Sequence, residues 1–369
     1  MSVFTHPEMS DHEQVVFCKD DATGLKAIIA IHDTTLGPAL GGCRMWDYKS
    51  DDEAVTDVLR LAKGMTYKAA ISDINLGGGK SVIIGDPKKI KSEELFRAFG
   101  RFVDSLGGRY ITAEDVNIRV ADMEIVAQET EFCTGVGSGS GDPSPLTALG
   151  VFHGIRAAVN FAKGSDNLSG LRVGIQGCGN VGSYLAGFLN EAGAHLVVSD
   201  IDPKKTQNIA DKFGGKVSTL ENIHKEDVDV YAPCALGAIL NDSTIPEIKA
   251  SIVAGGANNQ LLNETKHMQM LADRNILYAP DYVINAAGVM NVYQELVGYD
   301  RSAVEKKAET IFTTLTNIFK EAQSTNGSTV EASNKIAEQR IRAAKNQATH
   351  LKNPLRSQSW YGRGPLKNS

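Results

Sequence analysis

One glycine-rich segment of this 369-residue chain restricts the fold of its second half. Residues 177–182 read G-C-G-N-V-G, a G-x-G-x-x-G pattern that follows a predicted strand and opens a predicted helix. In that context Gly177 permits a tight turn, Gly179 lets the backbone approach a pyrophosphate, and Gly182 lets helix and strand pack closely. The pattern predicts a dinucleotide site at the helix N-terminus. Its residues are Gly177, Cys178, Gly179, Asn180, Val181 and Gly182.

An acidic residue stands where the sugar of such a nucleotide would bind. Asp200 ends the strand predicted at Leu196–Asp200, 18 residues after Gly182. A carboxylate at this place hydrogen-bonds the adenosine ribose and repels a 2′-phosphate, which favours NAD over NADP. Two alternatives stay open. Asp200 can cap the next helix of some other α/β sheet, and Lys204 and Lys205 can offset its charge.

Strands and helices alternate around this segment. The predicted strands are Arg172–Gln176, Leu196–Asp200, Val228–Ala232, Ile252–Ala254 and Ile276–Tyr278. The predicted helices between the first three strands are Asn180–Ala192 and Lys204–Phe213. Such alternation is typical of a doubly wound parallel sheet, so we expect a Rossmann-like domain here.

The first third of the chain predicts a different arrangement. Two antiparallel strands between Gln14 and Ile31, a strand at Ser81–Ile84, and helices at Ser50–Leu61 and Ser92–Leu106 indicate a mixed domain. The predicted fold class is therefore α/β, with an N-terminal mixed α/β domain followed by a Rossmann-like, doubly wound NAD-binding domain.

A glycine- and serine-rich stretch, residues 135–141, marks the domain boundary. We assign residues 1–142 to the first domain, which would hold the substrate, and residues 143–328 to the nucleotide-binding domain. Residues 329–352 are predicted as a C-terminal helix that returns to the first domain, and residues 353–369 as a tail.

Composition excludes several classes of protein. With 38 basic and 44 acidic residues the net charge is -6, so nothing points to nucleic acid or to an anionic membrane as a partner. The five cysteines contain no C-x-x-C pair, and no H-x-x-x-H motif or carboxylate cluster occurs, so we expect free thiols and no metal site. Without a signal peptide or a long apolar run, the predicted location is the cytoplasm.

Two lysines of the first domain are candidates for catalysis. Lys68 ends the segment K-G-M-T-Y-K, and Lys80 follows the three glycines 77–79. A lysine that is removed from water or set beside another cation has its pKa lowered towards the range of a general base. Lys80 is the predicted base, and Lys68 the fixed charge for a substrate carboxylate. Taken singly, either lysine can be a solvated surface residue; a Walker-type phosphate loop is excluded because Ile74 stands where it needs glycine.

Two further segments have both a functional and a structural interpretation. Asp115 follows a predicted strand, where it can shuttle protons or simply cap a helix near Asp122. The segment G-G-A-N-N-Q, residues 255–260, can line the nicotinamide side of the nucleotide site or form an ordinary turn.

Motifs in both halves of the chain carry a resemblance to a known family. They are LGPALGG (36–42), KGMTYK (63–68), LGGGK (76–80), TAEDV (112–116), DPSP (142–145), APCALG (232–237), GGANNQ (255–260) and YAPDYVINAAG (278–288). In this order they resemble the leucine, phenylalanine and valine dehydrogenase branch of the glutamate dehydrogenase superfamily. The likeness runs from about Glu13 to Ala348.

The resemblance implies reversible oxidative deamination of an L-amino acid by NAD, which yields a 2-oxo acid, ammonium and NADH. On matching positions, Lys80 would activate water, Lys68 would bind the substrate carboxylate, and Asp115 would assist proton transfer. Asn259 would hold the substrate, and Thr147 would contact the nicotinamide carboxamide. Further cofactor-binding positions implied are Cys234, Ala235 and Asn258. The family also implies a symmetric homo-oligomer, an octamer, built by the first domain.

The resemblance also implies an apolar side-chain pocket. Its residues would be Leu40, Gly41, Met65, Ala113, Val289 and Val292. None of them is a cation that would pair with a glutamate γ-carboxylate, so the predicted substrate is a branched-chain aliphatic amino acid: leucine, and also isoleucine or valine. This activity would belong to branched-chain amino acid catabolism.

Some positions favour other interpretations. Ala69, Tyr293 and the run Asp115-Val116-Asn117 are similar to relatives that act on phenylalanine or tryptophan. Ala287 stands where relatives commonly have a second glycine, which matters if that position needs a positive φ. A protein that senses NAD without catalysis is the alternative of another class, because a fold does not fix a function.

Overall fold

The computed structural model describes residues 3–136, 141–235 and 237–350, and it divides into two compact units. Unit 1 comprises the described residues of Met1–Gly141, Val292–Tyr299 and Ala337–Ser369; unit 2 comprises those of Asp142–Asn291 and Asp300–Ile336. Part of the predicted boundary loop, residues 137–140, lies outside the described residues, as does the predicted tail, residues 353–369.

Unit 1 contains a mixed five-stranded sheet. Its strands are β1 (Gln14–Asp20), β2 (Leu25–Asp33), β3 (Ala39–Trp46), β4 (Gly77–Ile84) and β5 (Tyr110–Glu114). Their order is β1-β2-β4-β3-β5, and β3 pairs in parallel with both β4 and β5. The remaining neighbours, β1 with β2 and β2 with β4, are antiparallel. Strand β3 therefore lies between β4 and β5, a position that matters for the site.

Helices cover both faces of this sheet. They are α1 (Asp51–Ile71), α2 (Pro87–Ile90), α3 (Glu93–Asp104) and α4 (Val120–Val126). On β2, Ile28 and Ala30 pack with apolar residues of α1, whereas Ile29 and Ile31 pack with those of α3 and α4. Successive side chains of a strand point to opposite faces, so α1 covers one face and α3 and α4 cover the other.

The helix predicted at Ser50–Leu61 is longer than expected. Ser50 is its N-cap and accepts a hydrogen bond from Glu53 N at 3.2 Å, as the sequence pattern indicated. The predicted end at Leu61 is wrong, because α1 continues to Ile71. Gly64 does not end the helix, because Ala62, Thr66, Ala69, Ala70 and Ile71 are buried. The K-G-M-T-Y-K segment is therefore helical.

Unit 2 contains a parallel six-stranded sheet. Its strands are β6 (Arg172–Gln176), β7 (His195–Ser199), β8 (Lys216–Val217), β9 (Val230–Pro233), β10 (Ile252–Val253) and β11 (Leu277–Tyr278). The order β11-β10-β9-β6-β7-β8 is the doubly wound arrangement, in which the strand order reverses around the first strand. The α/β fold class predicted from the sequence is confirmed.

The helices of unit 2 flank this sheet. They are α5 (Ser144–Lys163), α6 (Asn180–Glu191), α7 (Pro203–Phe213), α8 (Glu264–Asp273), α9 (Asp281–Ile284) and α11 (Arg301–Thr325). Two more helices, α10 (Ala287–Val297) and α12 (Thr329–His350), contribute residues to both units. Among the helices described, none is both long and apolar enough to span a bilayer.

Candidate active site

Glycines bring three elements of unit 1 into close contact. A Cβ on Gly41 of β3 would lie 1.7 Å from the carbonyl oxygen of Gly79 on β4. A Cβ on Gly78 would lie 2.1 Å from both the backbone nitrogen and Oγ1 of Thr66 on α1. No side chain fits in these spaces, so the glycines of the two motifs allow β3, β4 and α1 to approach one another.

Lys80 and Asp115 meet across β3. Lys80 is on β4 and almost fully buried, and Asp115 directly follows β5 on the other side of β3. Lys80 Nζ donates to Asp115 Oδ2 at 2.6 Å. Gly42 of β3 leaves room for this contact, because a Cβ there would lie 2.9 Å from Asp115 Cβ. The two residues predicted to be catalytic are thus joined in one ion pair. Asp115 does not cap α4: the N-cap position is Arg119, whose backbone N–H donates to Asp122 Oδ2 at 2.9 Å.

Two cations share the Asp115 carboxylate. Arg44 Nε lies 3.4 Å from the same Oδ2 atom that accepts from Lys80. Burial alone would raise the pKa of Asp115, but the charges of Lys80 and Arg44 and a backbone hydrogen bond from Val116 together hold it below its usual value. Asp115 is therefore an anion at neutral pH.

The residues predicted to bind substrate in unit 1 lie on a few neighbouring elements. Leu40 and Gly41 are on β3, and Ala113 is on β5, where it is the register partner of Gly42. Met65 and Lys68, both half-buried, are on α1. Val292 is on the part of α10 that belongs to unit 1. The other predicted contact residues belong to unit 2; they are Val289, Asn259 and Thr147.

The glycine-rich turn of unit 2 has the geometry that a pyrophosphate needs. Gly177 has a φ of 108°, and a Cβ on it would lie 2.8 Å from Ala235 N. A Cβ on Gly182 would lie 1.9 Å from the Gly177 carbonyl oxygen, so α6 packs directly on the turn. Gly179, the N-cap of α6, faces open space within 4 Å and has no side chain to satisfy the first N–H groups of the helix. These residues fit an anionic dinucleotide.

Asp200 lies beside this turn. Its Oδ2 accepts from Cys178 N at 2.6 Å, and its Oδ1 accepts from Asp202 N at 2.8 Å. The N-cap of α7 is Asp202, whose Oδ1 accepts from Lys204 N at 2.9 Å. The helix-capping alternative for Asp200 is therefore wrong. Its carboxylate follows β7, where the ribose hydroxyls bind in folds of this kind.

The loop after β9, which begins at Cys234, and the loop after β10, which contains Gly256, border the glycine-rich turn. Cys234 N donates to Gln176 O at 2.7 Å, and Gly256 N donates to Cys234 Sγ at 3.5 Å. A Cβ on Gly256 would lie 3.2 Å from a Val181 methyl group. Burial raises the pKa of Cys178 and of Cys234 to about 11, so both thiols stay neutral and serve as packing groups.

The G-G-A-N-N-Q loop is held by residues that sequence analysis missed. Asn285 Nδ2 donates to Asn258 Oδ1 at 2.6 Å. Gln260 Nε2 donates to the carbonyl oxygens of Gly255 and Ala257 at 2.7 and 2.9 Å. Asn259 takes a φ of 52°, which asparagine tolerates better than most residues. Asn285 lies inside a recognised motif, but no spacing rule assigns it this contact.

The backbone at the start of α10 accommodates an alanine at position 287. Ala287 is fully buried, begins α10, and is not among the described residues with positive φ. Gly288 is the position that needs glycine, because a Cβ there would lie 2.9 Å from Thr147 Oγ1. Thr147 Oγ1 itself donates to Pro143 O at 3.0 Å. Within the described residues, no group of three or more His, Cys, Asp or Glu side chains is placed to hold a metal ion.

Comparisons with known proteins agree with this geometry. Residues 12–132 match the dimerisation domain of the Glu/Leu/Phe/Val dehydrogenases, and residues 138–204 and 198–348 match the Glutamate/Leucine/Phenylalanine/Valine dehydrogenase domain. Leucine dehydrogenase of Geobacillus stearothermophilus is 53% identical over 344 residues, which cover 92% of this chain and 94% of that protein. L-tryptophan dehydrogenase of Nostoc punctiforme is 50% identical over 345 residues, or 94% of this chain and 98% of that protein.

A solved structure gives the same result. The crystal structure of L-tryptophan dehydrogenase from Nostoc punctiforme superposes with a TM-score of 0.84 at 49% identity, over 91% of this chain and 97% of that one. One unit is Rossmann-like and contains a glycine-rich turn, and the other contains a buried lysine–aspartate pair; each feature fits an oxidoreductase. The chain belongs to the Glu/Leu/Phe/Val dehydrogenase family and is an amino-acid dehydrogenase. Membership implies a nicotinamide cofactor and small-molecule substrates, and it favours an enzyme over the non-catalytic sensor.

Proposed function

We propose that this protein catalyses the reversible, NAD-dependent oxidative deamination of branched-chain aliphatic L-amino acids, with leucine as the main substrate and isoleucine and valine as further ones. The observation that carries the proposal is the Lys80–Asp115 pair, held at 2.6 Å in the same unit as a half-buried lysine, Lys68. The predicted pocket residues of this unit, Leu40, Gly41, Met65, Ala113 and Val292, supply no charge for a substrate side chain.

The reaction needs three tasks from the chain's own residues. The Lys68 ammonium pairs with the substrate carboxylate and fixes the orientation of Cα. A bound nicotinamide would supply the hydride acceptor for Cα, once the substrate ammonium has released a proton to solvent. For the next step the proton of the Lys80 ammonium passes to Asp115, so that the neutral Lys80 amine can take a proton from the water that attacks the resulting C=N carbon. Asp115 then gives its proton to the nitrogen, which departs as ammonium together with the hydroxyl proton of the adduct, and the Lys80–Asp115 ion pair is restored. The contact between Lys80 and Asp115 lets the two groups change charge together.

The residues of unit 2 hold the cofactor. Gly177–Gly182 would receive the pyrophosphate, and Asp200 the adenosine ribose. Asn258, Asn259, Cys234, Ala235 and Thr147 are proposed to line the nicotinamide end. We further propose a homo-octamer and a cytoplasmic location; the match to a dimerisation domain supports self-association, and the five free cysteines support a reducing compartment.

A panel of substrates tests the proposal. NADH formation is followed at alkaline pH with leucine, isoleucine, valine, phenylalanine, tryptophan and glutamate, each with NAD and with NADP. The highest kcat/KM is expected for a branched aliphatic substrate with NAD. A preference for tryptophan or phenylalanine would keep the chemistry and contradict the pocket, and light scattering that reports a monomer would contradict the assembly.

Lys68→Ala is expected to raise KM for leucine about 10- to 100-fold, because a hydrogen bond to a charged group contributes about 1.5–3 kcal/mol. The measurement is the initial rate as a function of leucine concentration. Lys63→Ala is the matched control, since Lys63 is an exposed lysine of the same helix, and its KM should stay close to that of the wild type. An unchanged KM in Lys68→Ala would remove this residue from the substrate site.

Asp200→Asn is expected to reduce the preference for NADH over NADPH, because it removes the charge that repels a 2′-phosphate. Asparagine keeps an oxygen that can accept from Cys178 N, so the turn should remain intact. The Kd values of both reduced cofactors are measured by fluorescence titration. We expect at least about tenfold tighter binding of NADH in the wild type and a smaller ratio in the variant. Equal affinities in the wild type would contradict the assignment of NAD.

A further inference from the structure

The Lys80–Asp115 pair continues into a chain of charged groups on the α1 face of the unit 1 sheet. Arg44 Nε lies 3.4 Å from Asp115 Oδ2, and Arg44 Nη1 donates to Asp57 Oδ2 at 3.0 Å. The Tyr48 hydroxyl donates to the same Asp57 oxygen at 2.6 Å. Cations and anions therefore alternate from Lys80 through Asp115 and Arg44 to Asp57.

Strand register explains why these groups meet. Arg44 on β3 is the partner of Val82 on β4, and Lys80 is two residues before Val82, so Arg44 and Lys80 point to the same face. Val82 belongs to the apolar cluster that packs under α1, and Asp57 is on α1. Arg44 is thus fixed at two ends, by the helix through Asp57 and by the active site through Asp115.

The contact between Arg44 and Asp115 is one of charge. Arg44 Nε is buried and makes no hydrogen bond, although it lies close to the carboxylate. The side chains are largely shielded from water, with exposed fractions of 20% for Arg44 and 25% for Asp115. Screening is weak under these conditions, so a full positive charge at this distance acts strongly on the carboxylate.

We propose, on the basis of the proposed function, that Arg44 is a positioning residue for the catalytic pair: its charge keeps Asp115 ionised with Oδ2 turned towards Lys80, and Asp57 and Tyr48 hold Arg44 in place. In this account Lys80 and Asp115 contact the reacting atoms, whereas Arg44 acts through Asp115. Arg44 thereby sets the pH range over which the pair can exchange protons with the substrate.

Several ionisable side chains lie near the pair. Among the described residues, those that interact with Asp115 or with Arg44 include Lys80, Asp57, Tyr48, Cys43 and Tyr110. Burial raises the pKa of Cys43 to about 12, and it raises the pKa values of Tyr48 and Tyr110 well above the usual value of a tyrosine. All three side chains are therefore neutral over the pH range of the assay. A change in charge at Arg44 or Asp57 therefore acts on the pair without a change in the protonation of these three groups.

The test is the acidic limb of the kcat/KM profile for leucine deamination, which reports protonation of the pair. Arg44→Gln removes a positive charge and should move this limb up by about one pH unit, with kcat/KM at the optimum about 10- to 100-fold lower. Asp57→Asn removes a negative charge next to Arg44 and should move the limb down by about 0.3 pH units or more. Arg44→Lys restores the charge and should return the limb towards the wild-type position.

Shifts of the acidic limb in opposite directions for Arg44→Gln and Asp57→Asn distinguish charge coupling from a merely structural role of Arg44. Arg97→Met is the control, because Arg97 on α3 forms ion pairs with Glu93 at 2.7 Å and Glu129 at 2.9 Å in the same unit and should leave the profile unchanged. NADH affinity and circular dichroism verify that each variant is folded. The inference would be overturned if the acidic limb of both variants stayed at the wild-type pH or moved in the same direction. If Arg44→Gln does not fold, Asp57→Asn tests the inference alone: a downward shift of its limb supports it, and an unchanged limb overturns it. A wild type that does not deaminate leucine would instead contradict the proposed function.

Discussion

Lys80→Ala is expected to lower kcat for leucine deamination by about 10²- to 10⁴-fold, which is the usual contribution of a positioned acid–base group. The variant removes the amine that accepts a proton from water and leaves Asp115 without the partner that holds it at 2.6 Å. The affinity for NADH should not change, because the nucleotide turn at Gly177–Gly182 belongs to the other unit. Steady-state rates and NADH fluorescence titration measure the two quantities.

A second lysine–aspartate pair provides the control. Lys91 forms an ion pair with Asp122 in unit 1, and both side chains are partly buried. Lys91→Ala should therefore cost stability without a comparable loss of kcat. If Lys80→Ala retained wild-type turnover, or lost turnover together with NADH binding, the role assigned to Lys80 would be wrong.

Gly41→Ala is expected to destabilise the protein by about 3 kcal/mol, at the upper end of the usual range for overpacking. The added Cβ would lie 1.7 Å from the carbonyl oxygen of Gly79, so β3 and β4 would have to separate. This separation would displace Lys80 on β4. It would also disturb Gly42, the next residue of β3, which leaves room for the contact between Lys80 and Asp115. We therefore expect kcat/KM to fall as well. The free energy of unfolding is measured from urea titration.

Gly64→Ala is the matched control for this substitution. Gly64 is inside α1, and apart from its two neighbours and the backbone of its own helix no atom of the described residues lies within 4 Å of the position that its Cβ would take. Alanine in a helix interior is favoured over glycine, so this variant should be stabilised by up to about 1 kcal/mol with unchanged activity. Equal unfolding free energies for Gly41→Ala and the wild type would contradict the close packing of β3 on β4.

The nucleotide-binding elements were predictable because their signals are local. The strand at Arg172–Gln176 has the predicted bounds, and the helix beginning at Asn180 ends one residue earlier than expected. A short apolar strand, a glycine turn and an amphipathic helix are adjacent in sequence, so one pattern specifies all three. The start of α1 at its Ser50 N-cap was predictable for the same reason.

The core of the active site was less predictable because its contacts are not local. Strand β3 was missed: its sequence A-L-G-G-C-R-M-W contains two glycines and an arginine and lacks a regular alternation. Without β3 and its register, nothing in the sequence indicates that Lys80 meets Asp115, 35 positions away, or that Arg44 lies beside Asp115. The resemblance to known dehydrogenases indicated Lys80 and Asp115 but gave no role to Arg44 or Asp57.

The stoichiometry of the reaction tests the central claim most directly. Purified enzyme is incubated with L-leucine and NAD, and ammonium, 2-oxo acid and NADH are quantified in the same samples, with Lys80→Ala in parallel. The proposed chemistry predicts equal amounts of the three products from the wild type and almost none from the variant. NADH formed without ammonium, or products formed at an equal rate by Lys80→Ala, would contradict oxidative deamination by the Lys80–Asp115 pair.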